Sequence, residues 1–446
     1  MDIRKIPQIV ERHKSEILEA ERYIWKHPET GYHEWKTSAY MAEQFEKLGY
    51  TLRYAGNIPG FTTVLDTGRP GPCVLVMGEL DSLICADHPE CDPETKAVHA
   101  CGHNAQCAGL LGIAYALKEP GMLDELSGKI MLCAVPAEEL IELEKRVELR
   151  KQGIIRYMGG KVEFLYRGYF DECDLALLVH TSGGKEIYTF GGSNGCVVKK
   201  IEYIGKAAHA GGDPQDGINA LYAASLGMQA VNSLRETFPD EDHVRFHPII
   251  NKGGDAVNAI PADVVAESYV RGASLEAIVR ENAKVNRALA GAAVSMGAQL
   301  HLNDCPGYAP LNNDSTFNAI ADEVLGEILP AGEYYSCRSW STGCTDMGDM
   351  STVMPTIQPY AGGAIGQGHG KDYFIADPYI ACVKSAAFQT ALICRLLEND
   401  AVLAKKVKAQ SKCLYASKEE YFAVMDKLFL DKDVVEYRED GISIRI

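Results

Sequence analysis

Three apolar segments, each followed by an ionisable residue, constrain the fold of this chain more than any other feature. PCVLVMG runs into Glu79, KIMLCAVP runs into Glu138 after one alanine, and LALLV runs into His180. Strands that are apolar at every position are typical of mainly parallel α/β sheets, in which helices cover both faces. Such sheets place their sites at the carboxyl ends of the strands. The polar residues after these segments are therefore the first candidates for a functional site.

The order of the predicted elements indicates two domains. Helices and buried strands alternate up to about residue 195 and again after Pro310, which predicts one α/β domain over 1–195 and 311–446. Between these parts, the pattern predicts a β-α-β-β-α-β order over 196–310, which is that of an inserted ferredoxin-like domain. The predicted helices cover 6–27, 36–48, 217–234, 275–296, 316–329 and 378–397. The predicted strands cover 71–77, 128–135, 173–179, 196–209, 244–251, 263–271, 298–303 and 356–361.

Charge and cysteine content narrow the class of function. The net charge is −17, from 44 basic and 61 acidic residues, whereas nucleic-acid binding requires a basic surface. The N-terminal segment lacks the apolar core of a signal peptide, and no apolar run approaches the ~20 residues of a membrane span. The 14 cysteines are then expected as reduced thiols. We expect a cytoplasmic protein that binds neither nucleic acid nor membrane.

The residues after the predicted strands have the chemistry of a metal site. Cys101 and His103 lie in HACGHN at a helix start, Glu139 follows Glu138, and His369 lies in the glycine-rich GQGHG. Each is a weak signal alone, since a Cys-x-His pair usually occurs by chance and paired glutamates are usually solvated. Together, thiolate, imidazole and carboxylate donors at one sheet edge suit Zn²⁺ or a similar divalent ion.

Several motifs together resemble a known family. They are GELDSL, HACGHN, PAEE, GKAAHA, NAIP and CTDMGDMS. In this order, over about residues 23–397, they resemble the aminoacylase and carboxypeptidase-like two-metal metallopeptidases. The branch concerned includes N-acyl-amino-acid amidohydrolases, auxin-conjugate hydrolases, aminobenzoyl-glutamate hydrolases and related dipeptidases. The resemblance implies a zinc-peptidase-like catalytic domain with an inserted dimerisation domain, and hydrolysis of the amide bond of a small amino-acid conjugate or dipeptide.

The same resemblance implies roles for individual residues. Cys101 would bridge two divalent ions (Zn, Mn, Co or Ni), and Glu138 would be the general base. Asp81 would orient a neighbouring ligand, as outer carboxylates do in metal sites. The remaining metal ligands would be His103, Glu139, His180 and His369.

The inserted domain is expected to contribute to the site as well. The resemblance implies that His209 in GKAAHA stabilises the oxyanion, often across a homodimer, and that Asn258 and Arg271 lie near the substrate carboxylate. The alternatives are that Asn258 caps a turn and that Arg271 ends an exposed strand.

Two departures from the family and two other functions stay open. One departure is Asn104 in HACGHN, where many members of the family that the chain resembles have aspartate. The sequence LIELEKRVELRKQGIIRYMGGK follows Glu139, where the related hydrolases have a link about twenty residues shorter. Its charges predict a solvent-facing surface helix, although its position could also narrow a pocket. A thiol hydrolase with Cys101 as nucleophile would explain neither the glutamate pair nor the distant histidines. A non-catalytic binding protein would not need Glu138 and the full ligand set.

Overall fold

The computed structural model describes residues 2–439 and 441–446. Twelve α-helices occur in these ranges, and a π-helical segment, Tyr379–Lys384, leads into the eleventh. The helices are α1 Ile6–Glu11, α2 Lys14–Trp25, α3 Trp35–Lys47, α4 His103–Lys118, α5 Leu143–Lys151, α6 Gly160–Tyr166, α7 Ala220–Ser233, α8 Leu275–Met296, α9 Ser315–Ile328, α10 Met347–Val353, α11 Ser385–Gln410 and α12 Lys418–Met425.

The same ranges contain 23 strands, many of them short. They are β1 Arg53–Tyr54, β2 Phe61–Asp66, β3 Cys73–Glu79, β4 Leu83–Ile84, β5 Ala97–Val98, β6 Lys129–Val135, β7 Leu175–Leu177, β8 His180–Gly183, β9 Ile187–Thr189, β10 Gly192–Ser193, β11 Gly195–Ile204, β12 Arg245–Phe246, β13 Ile249–Lys252, β14 Asp263–Gly272, β15 Gln299–Tyr308, β16 Leu311–Asn312, β17 Tyr334–Ser336, β18 Trp340–Ser341, β19 Thr356–Ile357, β20 Tyr360–Ile365, β21 Phe374–Ile375, β22 Leu430–Arg438 and β23 Gly441–Ile444.

The first of two compact units comprises Met1–Gly192, Leu311–Trp340 and Asp346–Lys418. Its main sheet has the order β1-β2-β6-β3-β7-β19. Strands β6, β3, β7 and β19 run parallel, while β1 and β2 pair antiparallel at one edge. All seven residues of β3 are buried, as its unbroken apolar sequence predicts. The α/β class predicted from the sequence is confirmed.

Helices α4 and α11 form much of the core of this unit. Fourteen of the sixteen residues of α4 are buried, because it packs against α2, α11 and β3. The segment Tyr379–Gln410 is long and apolar enough to cross a membrane, but 89% of its most apolar window is buried within the protein. A core helix passes the same test, so this segment is weak evidence for a span.

The second unit comprises Ser193–Pro310, Ser341–Thr345 and Glu419–Ile446. Its antiparallel sheet has the order β12-β14-β11-β15-β22-β23, and β13 also pairs with β14. The strands β13-β14-β11-β15 with helices α7 and α8 form the predicted ferredoxin-like arrangement. Helix α8 begins where the Ser274 side chain accepts from the amide of Ala277 (3.1 Å), and it ends at Gly297, which has φ +72°.

The C-terminal boundary differs from the prediction. We expected 311–446 to belong to the catalytic domain, but Glu419–Ile446 clusters with the second unit. The reason is strand pairing, since β22 lies antiparallel to β15, with Leu302 opposite Lys432. Strand β23 then pairs with β22 and lies at the end of this sheet. Only Val434 and Val435 of the nine residues of β22 are buried, so the strand has no apolar run that would predict it from the sequence.

Candidate functional site

The ends of the parallel strands bring the predicted site residues of the first unit together. Glu79 is the last residue of β3, Glu138 and Glu139 follow β6, and His180 begins β8 directly after β7. His180 pairs in register with Tyr360 on β20, and β20 leads into the loop that contains His369. This arrangement follows from parallel pairing, which places the carboxyl ends of neighbouring strands at one edge.

Five of these side chains form two overlapping groups of donor atoms. Ligand atoms of Cys101, His103 and His180 lie within 4.8 Å of one another, and so do those of Cys101, Glu139 and His369. Cys101 is common to both groups. Its Sγ lies 3.5 Å from His180 Nε2, and His369 Nε2 lies 3.2 Å from Glu139 Oε1. Two groups of potential metal-binding atoms that share one cysteine thus lie side by side.

A glycine turn positions the Cys-x-His pair at the start of α4. Gly102 has φ +83°, and a Cβ there would lie 2.0 Å from Thr181 Oγ1. The Thr181 hydroxyl also donates to the Cys101 carbonyl (3.0 Å). Glycine is thus required both by the left-handed backbone and by the close approach of Thr181.

Asp81 contacts two of the candidate metal ligands, His103 and Glu139. Its carbonyl and Oδ1 lie 2.9 and 3.2 Å from His103 Nδ1, and its Oδ2 accepts from the amide of Glu139 (2.8 Å). Nδ1 must donate to a carbonyl, so the Nε2 lone pair of a neutral His103 faces the cluster. His180 has the same arrangement, because its Nδ1 lies 2.9 Å from the Thr181 carbonyl. Such contacts fix the tautomer of metal-binding histidines.

The charges of the cluster are strongly coupled. Burial and Glu139 oppose ionisation of the Cys101 thiol, but His180 and His103 lower its pKa to about 6. Glu139 raises the pKa of His369 to about 11. Burial opposes ionisation of Glu139, but His369, His103 and Cys101 together lower its pKa to about 2. The donor set therefore concentrates negative charge that protonated imidazoles or bound cations can neutralise.

Two buried atoms indicate that the donor set fits divalent cations. His103 Nε2 and Glu139 Oε1 are buried without a hydrogen bond among the described residues, because their close neighbours Glu79 Oε2 (3.1 Å) and His369 Nε2 (3.2 Å) do not have hydrogen-bond geometry. Buried polar atoms normally have such a partner. Both atoms face the cluster, and imidazole, thiolate and carboxylate are ligands of Zn²⁺ and related ions. The residues present thus fit divalent cations.

Glu138 lies beside this donor set. It is 6% exposed, and its Oε2 lies 3.9 Å from His103 Nε2. Together with Glu79 and His103 it forms a third group of close donor atoms. Burial, with Glu79 and Glu139 nearby, raises the pKa of Glu138 well above its usual range. A carboxylate with a raised pKa is suited to accept a proton near neutral pH.

A buried ion network supports Glu79 and was not predicted. Lys161 is fully buried and donates to Glu79 Oε1 and to Asp346 Oδ1. Glu79 Oε2 accepts from Gln106 (2.7 Å) and lies 3.1 Å from His103 Nε2. Lys161 ends the sequence LIELEKRVELRKQGIIRYMGGK and Asp346 lies in CTDMGDMS, but only the fold shows that they pair.

Three predicted residues lie in the second unit, and each is described there. His209 Nδ1 accepts from the amides of Gly211 (3.2 Å) and Gly212 (2.8 Å), so a neutral ring has its proton on the exposed Nε2. Asn258 is exposed, and its carbonyl accepts from the amide of Ala210 (2.9 Å). The guanidinium of Arg271 donates to Cys344 Sγ (3.3 Å) and is half-buried.

Comparisons with known proteins agree on one family. The model of Peptidase family M20/M25/M40 matches residues 75–399, well over half of the chain. Indole-3-acetyl-aspartic acid hydrolase from Enterobacter agglomerans is 26% identical over 64% of this chain and 73% of its own length. The Xaa-Arg dipeptidase of Homo sapiens is 26% identical over 76% and 74%.

Solved structures show a similar fold. Bacillus subtilis YXEP protein, described as a dinuclear metal binding peptidase, has a TM-score of 0.63 at 19% identity and covers 87% of this chain and 99% of its own. Aminobenzoyl-glutamate utilization protein from Klebsiella pneumoniae has a TM-score of 0.63 at 19% identity, with 87% and 98% coverage.

Proposed function

The chain belongs to peptidase family M20/M25/M40, and from this premise we propose that it hydrolyses the amide bond of an N-acyl- or aminoacyl-amino acid at two adjacent divalent cations. The observation that carries the proposal is the pair of donor groups sharing Cys101, with Glu138 beside them. The relatives named above are hydrolases and dipeptidases, which supports an amide bond as the target. An aminobenzoyl-glutamate-like conjugate or a dipeptide is the substrate class proposed.

The roles of the residues follow from where they lie. Divalent cations bound by Cys101 and its partners would polarise the scissile carbonyl and make the attacking water more acidic. Glu138 would accept the proton of this water and pass it to the leaving nitrogen. Asp81 holds His103 and the amide of Glu139 in place, so its contribution is to orient ligands.

We further propose that His209, Asn258 and Arg271 act on the substrate. The Nε2–H of a neutral His209 is a suitable donor for a developing oxyanion, because its Nδ1 is already engaged by two backbone amides. A guanidinium such as that of Arg271 binds carboxylates well. In this proposal, Asn258 and Arg271 hold the substrate carboxylate, and His209 stabilises the oxyanion.

A homodimer is proposed from the surface of the second unit. Tyr222 (64% exposed) and Leu226 (41%) lie on α7, and Ile249 (55%) lies on the edge strand β13. Exposed apolar groups beside an unpaired strand edge are typical of a self-association surface.

The experiment separates the two adjacent glutamates. Glu138→Gln should fold, keep its metal and lose about 10²–10⁴-fold in turnover, because the amide cannot accept a proton. Glu139→Gln should instead lose metal, since a charged ligand is removed. The matched control is Glu144→Gln on α5, which should change neither. Metal content by mass spectrometry and hydrolysis of an N-acyl-amino-acid and dipeptide panel are the measurements.

A thiol hydrolase remains the second candidate because Cys101 Sγ lies 3.5 Å from His180 Nε2. Activity that survives chelation but is lost on thiol alkylation would establish it and overturn the proposal. Reversal of the two glutamate phenotypes would exchange the roles of Glu138 and Glu139.

A further inference from the structure

The helix that follows the glutamate pair is not solely a solvent-facing element. On α5, Glu144 and Lys145 are exposed as predicted, but Arg146 is 2% exposed and its side chain is among the largest that are fully buried. The prediction that the charges of this segment face solvent is therefore wrong for Arg146. An arginine is rarely buried unless its donors are satisfied by specific acceptors.

The acceptors of Arg146 are backbone carbonyls around Glu138. Its Nη2 donates to the carbonyl of Glu139, and its Nη1 donates to the carbonyls of Met158 (2.7 Å) and, at the limit of hydrogen bonding, Ala137 (3.5 Å). One guanidinium thus contacts the carbonyl groups of the residues on both sides of Glu138. A planar fork of donors can do this, whereas the single ammonium of lysine cannot reproduce that geometry.

The neighbouring residues are fitted to this contact. A Cβ at Gly31 would lie 2.3 Å from Arg146 Nη2, so the absence of a side chain there leaves room for the guanidinium. The ring of Tyr32 lies beneath it, with 5.5 Å from the guanidinium carbon to the ring centroid. Glu34 is fully buried, and its Oε1 accepts from the amide of Ala137 (2.7 Å).

The backbone that Arg146 contacts at Ala137 has an unfavourable conformation that surrounding contacts must stabilise. Ala137 has φ +59°, a left-handed conformation that residues other than glycine rarely adopt and that persists when surrounding contacts impose it. Its amide is bound by Glu34, and its carbonyl accepts from the amide of Gly160 (3.1 Å) as well. The amide of Glu139 is bound by Asp81. Arg146, on helix α5, donates to the Glu139 carbonyl.

We propose that Arg146 is a positioning residue of the hydrolytic site, which holds the backbone on both sides of Glu138 so that the Glu138 and Glu139 carboxylates are correctly presented. The inference rests on the proposed function, in which Glu138 is the base and Glu139 a ligand. The segment after Glu139 that contains α5 would then contribute to turnover as well as covering the surface.

The test compares Arg146→Lys and Arg146→Met with Lys145→Met, a control that removes an exposed cation from the same helix. Loss of an outer contact to a metal ligand typically costs about 10–100-fold in metal affinity or activity. For both Arg146 variants we expect kcat at saturating Zn²⁺ or Mn²⁺ to fall by about this factor, with KM within about twofold. Metal affinity, measured by competition with a chromophoric chelator, should fall as well. Lys145→Met should match the wild type in all three quantities.

Chemical rescue keeps the inference testable if the lysine and methionine variants are poorly folded. In Arg146→Ala, added guanidinium ion should restore part of kcat, and it should not restore Glu138→Gln. Arg146 variants that are less stable but keep wild-type kcat and metal affinity would overturn the inference and leave Arg146 as an anchor of α5. If the wild-type protein hydrolyses no amide, the proposed function fails, and metal affinity alone decides the role of Arg146.

Discussion

At the residue scale, the asparagine in HACGHN has a physical explanation. The family resemblance predicts aspartate at position 104, but this chain has Asn104, whose Nδ2 donates to Glu21 Oε1 on α2 (2.7 Å). Both residues are buried. An aspartate at 104 would place a second carboxylate against that of Glu21, whereas the amide of Asn104 donates a hydrogen bond to the Glu21 carboxylate.

Glu21 should make the stability of the protein depend on pH. Burial raises its pKa from 4.5 to about 7, against the opposing effects of Arg22 and Asn104. Below about pH 4.5 the carboxyl is protonated in both the folded and the unfolded protein, so it does not affect the free energy of unfolding. As pH rises from 4.5 toward 7, the unfolded protein loses the proton first and the free energy of unfolding falls. Above pH 7 the loss of stability stays constant. The difference of ~2.5 units at ~1.36 kcal/mol each sets an upper limit of about 3 kcal/mol.

Glu21→Gln should therefore be more stable than the wild type at pH 8 and nearly equal to it at pH 4.5. Thermal unfolding across this range measures the difference. Glu19→Gln, an exposed substitution on the same helix, is the control and should show no such trend. A stability difference for Glu21→Gln that does not grow with pH would contradict the assignment.

At the element scale, the turn before α4 tests how the Cys-x-His pair is positioned. Gly102→Ala would place a Cβ 2.0 Å from Thr181 Oγ1 and 2.5 Å from Tyr373 Oη, at φ +83°. Because both neighbours are buried, the turn must shift, which we expect to cost about 1–3 kcal/mol of stability and to displace Cys101 and His103. Metal content should fall below that of the wild type.

Gly109→Ala on the same helix is the matched control. A Cβ there makes contacts no closer than 3.7 Å, so the substitution should be neutral or should stabilise by about 0.5–1 kcal/mol. Denaturant unfolding and metal analysis of both variants are the measurements. Wild-type metal content in Gly102→Ala would show that the turn does not position the ligands.

Helices and strands were predictable from the sequence where neighbouring residues determine them. Helix α8 was predicted with its observed bounds, because Ser274 and Gly297 mark its ends and its apolar residues repeat along one face. The buried strands β3 and β6 were recognisable from their apolar runs. Strand β22 was not, since only two of its nine residues are buried and it has no apolar run. Helix α5 was predicted, but the sequence did not show that Arg146 points inward.

The candidate metal ligands could be predicted from the sequence, whereas some of the buried residues that hold them in place could not. The strand-end rule and the motifs identified Cys101, His103, Glu139, His180 and His369, which the structure brings together. The family resemblance is confirmed by the family model. Lys161 and Arg146 were missed because a lysine or arginine looks solvent-exposed in a sequence until the fold supplies its buried acceptors. The roles of all these residues stay predictions.

At the scale of the whole molecule, mixing two inactive variants tests whether His209 acts on the site of the partner subunit in the proposed homodimer. His209→Ala should lose about 10²–10³-fold in turnover while retaining metal, as expected for loss of an oxyanion donor. After exchange with Glu138→Gln chains, half of the dimers are mixed and one site in each is intact. Activity should then recover to about a quarter of the wild-type level if the two-fold partner supplies His209.

Subunit exchange must be verified with differently tagged chains before the recovery is measured. The control mixes Glu138→Gln with Glu139→Gln, whose defects lie in the same site of the same unit, and it should show no recovery. Verified exchange without recovery in the His209→Ala mixture would mean that His209 acts within its own chain or not at all.

We propose that amide hydrolysis depends on two cations bound through Cys101 and its partners. The most direct test of this claim is to titrate Zn²⁺ or Mn²⁺ into metal-free protein while hydrolysis of an N-acyl-amino-acid and dipeptide panel is followed. We predict that activity is absent in the metal-free protein and reaches its maximum only as the second equivalent binds. Hydrolysis at full rate by the metal-free protein, or a maximum at one equivalent, would contradict this claim.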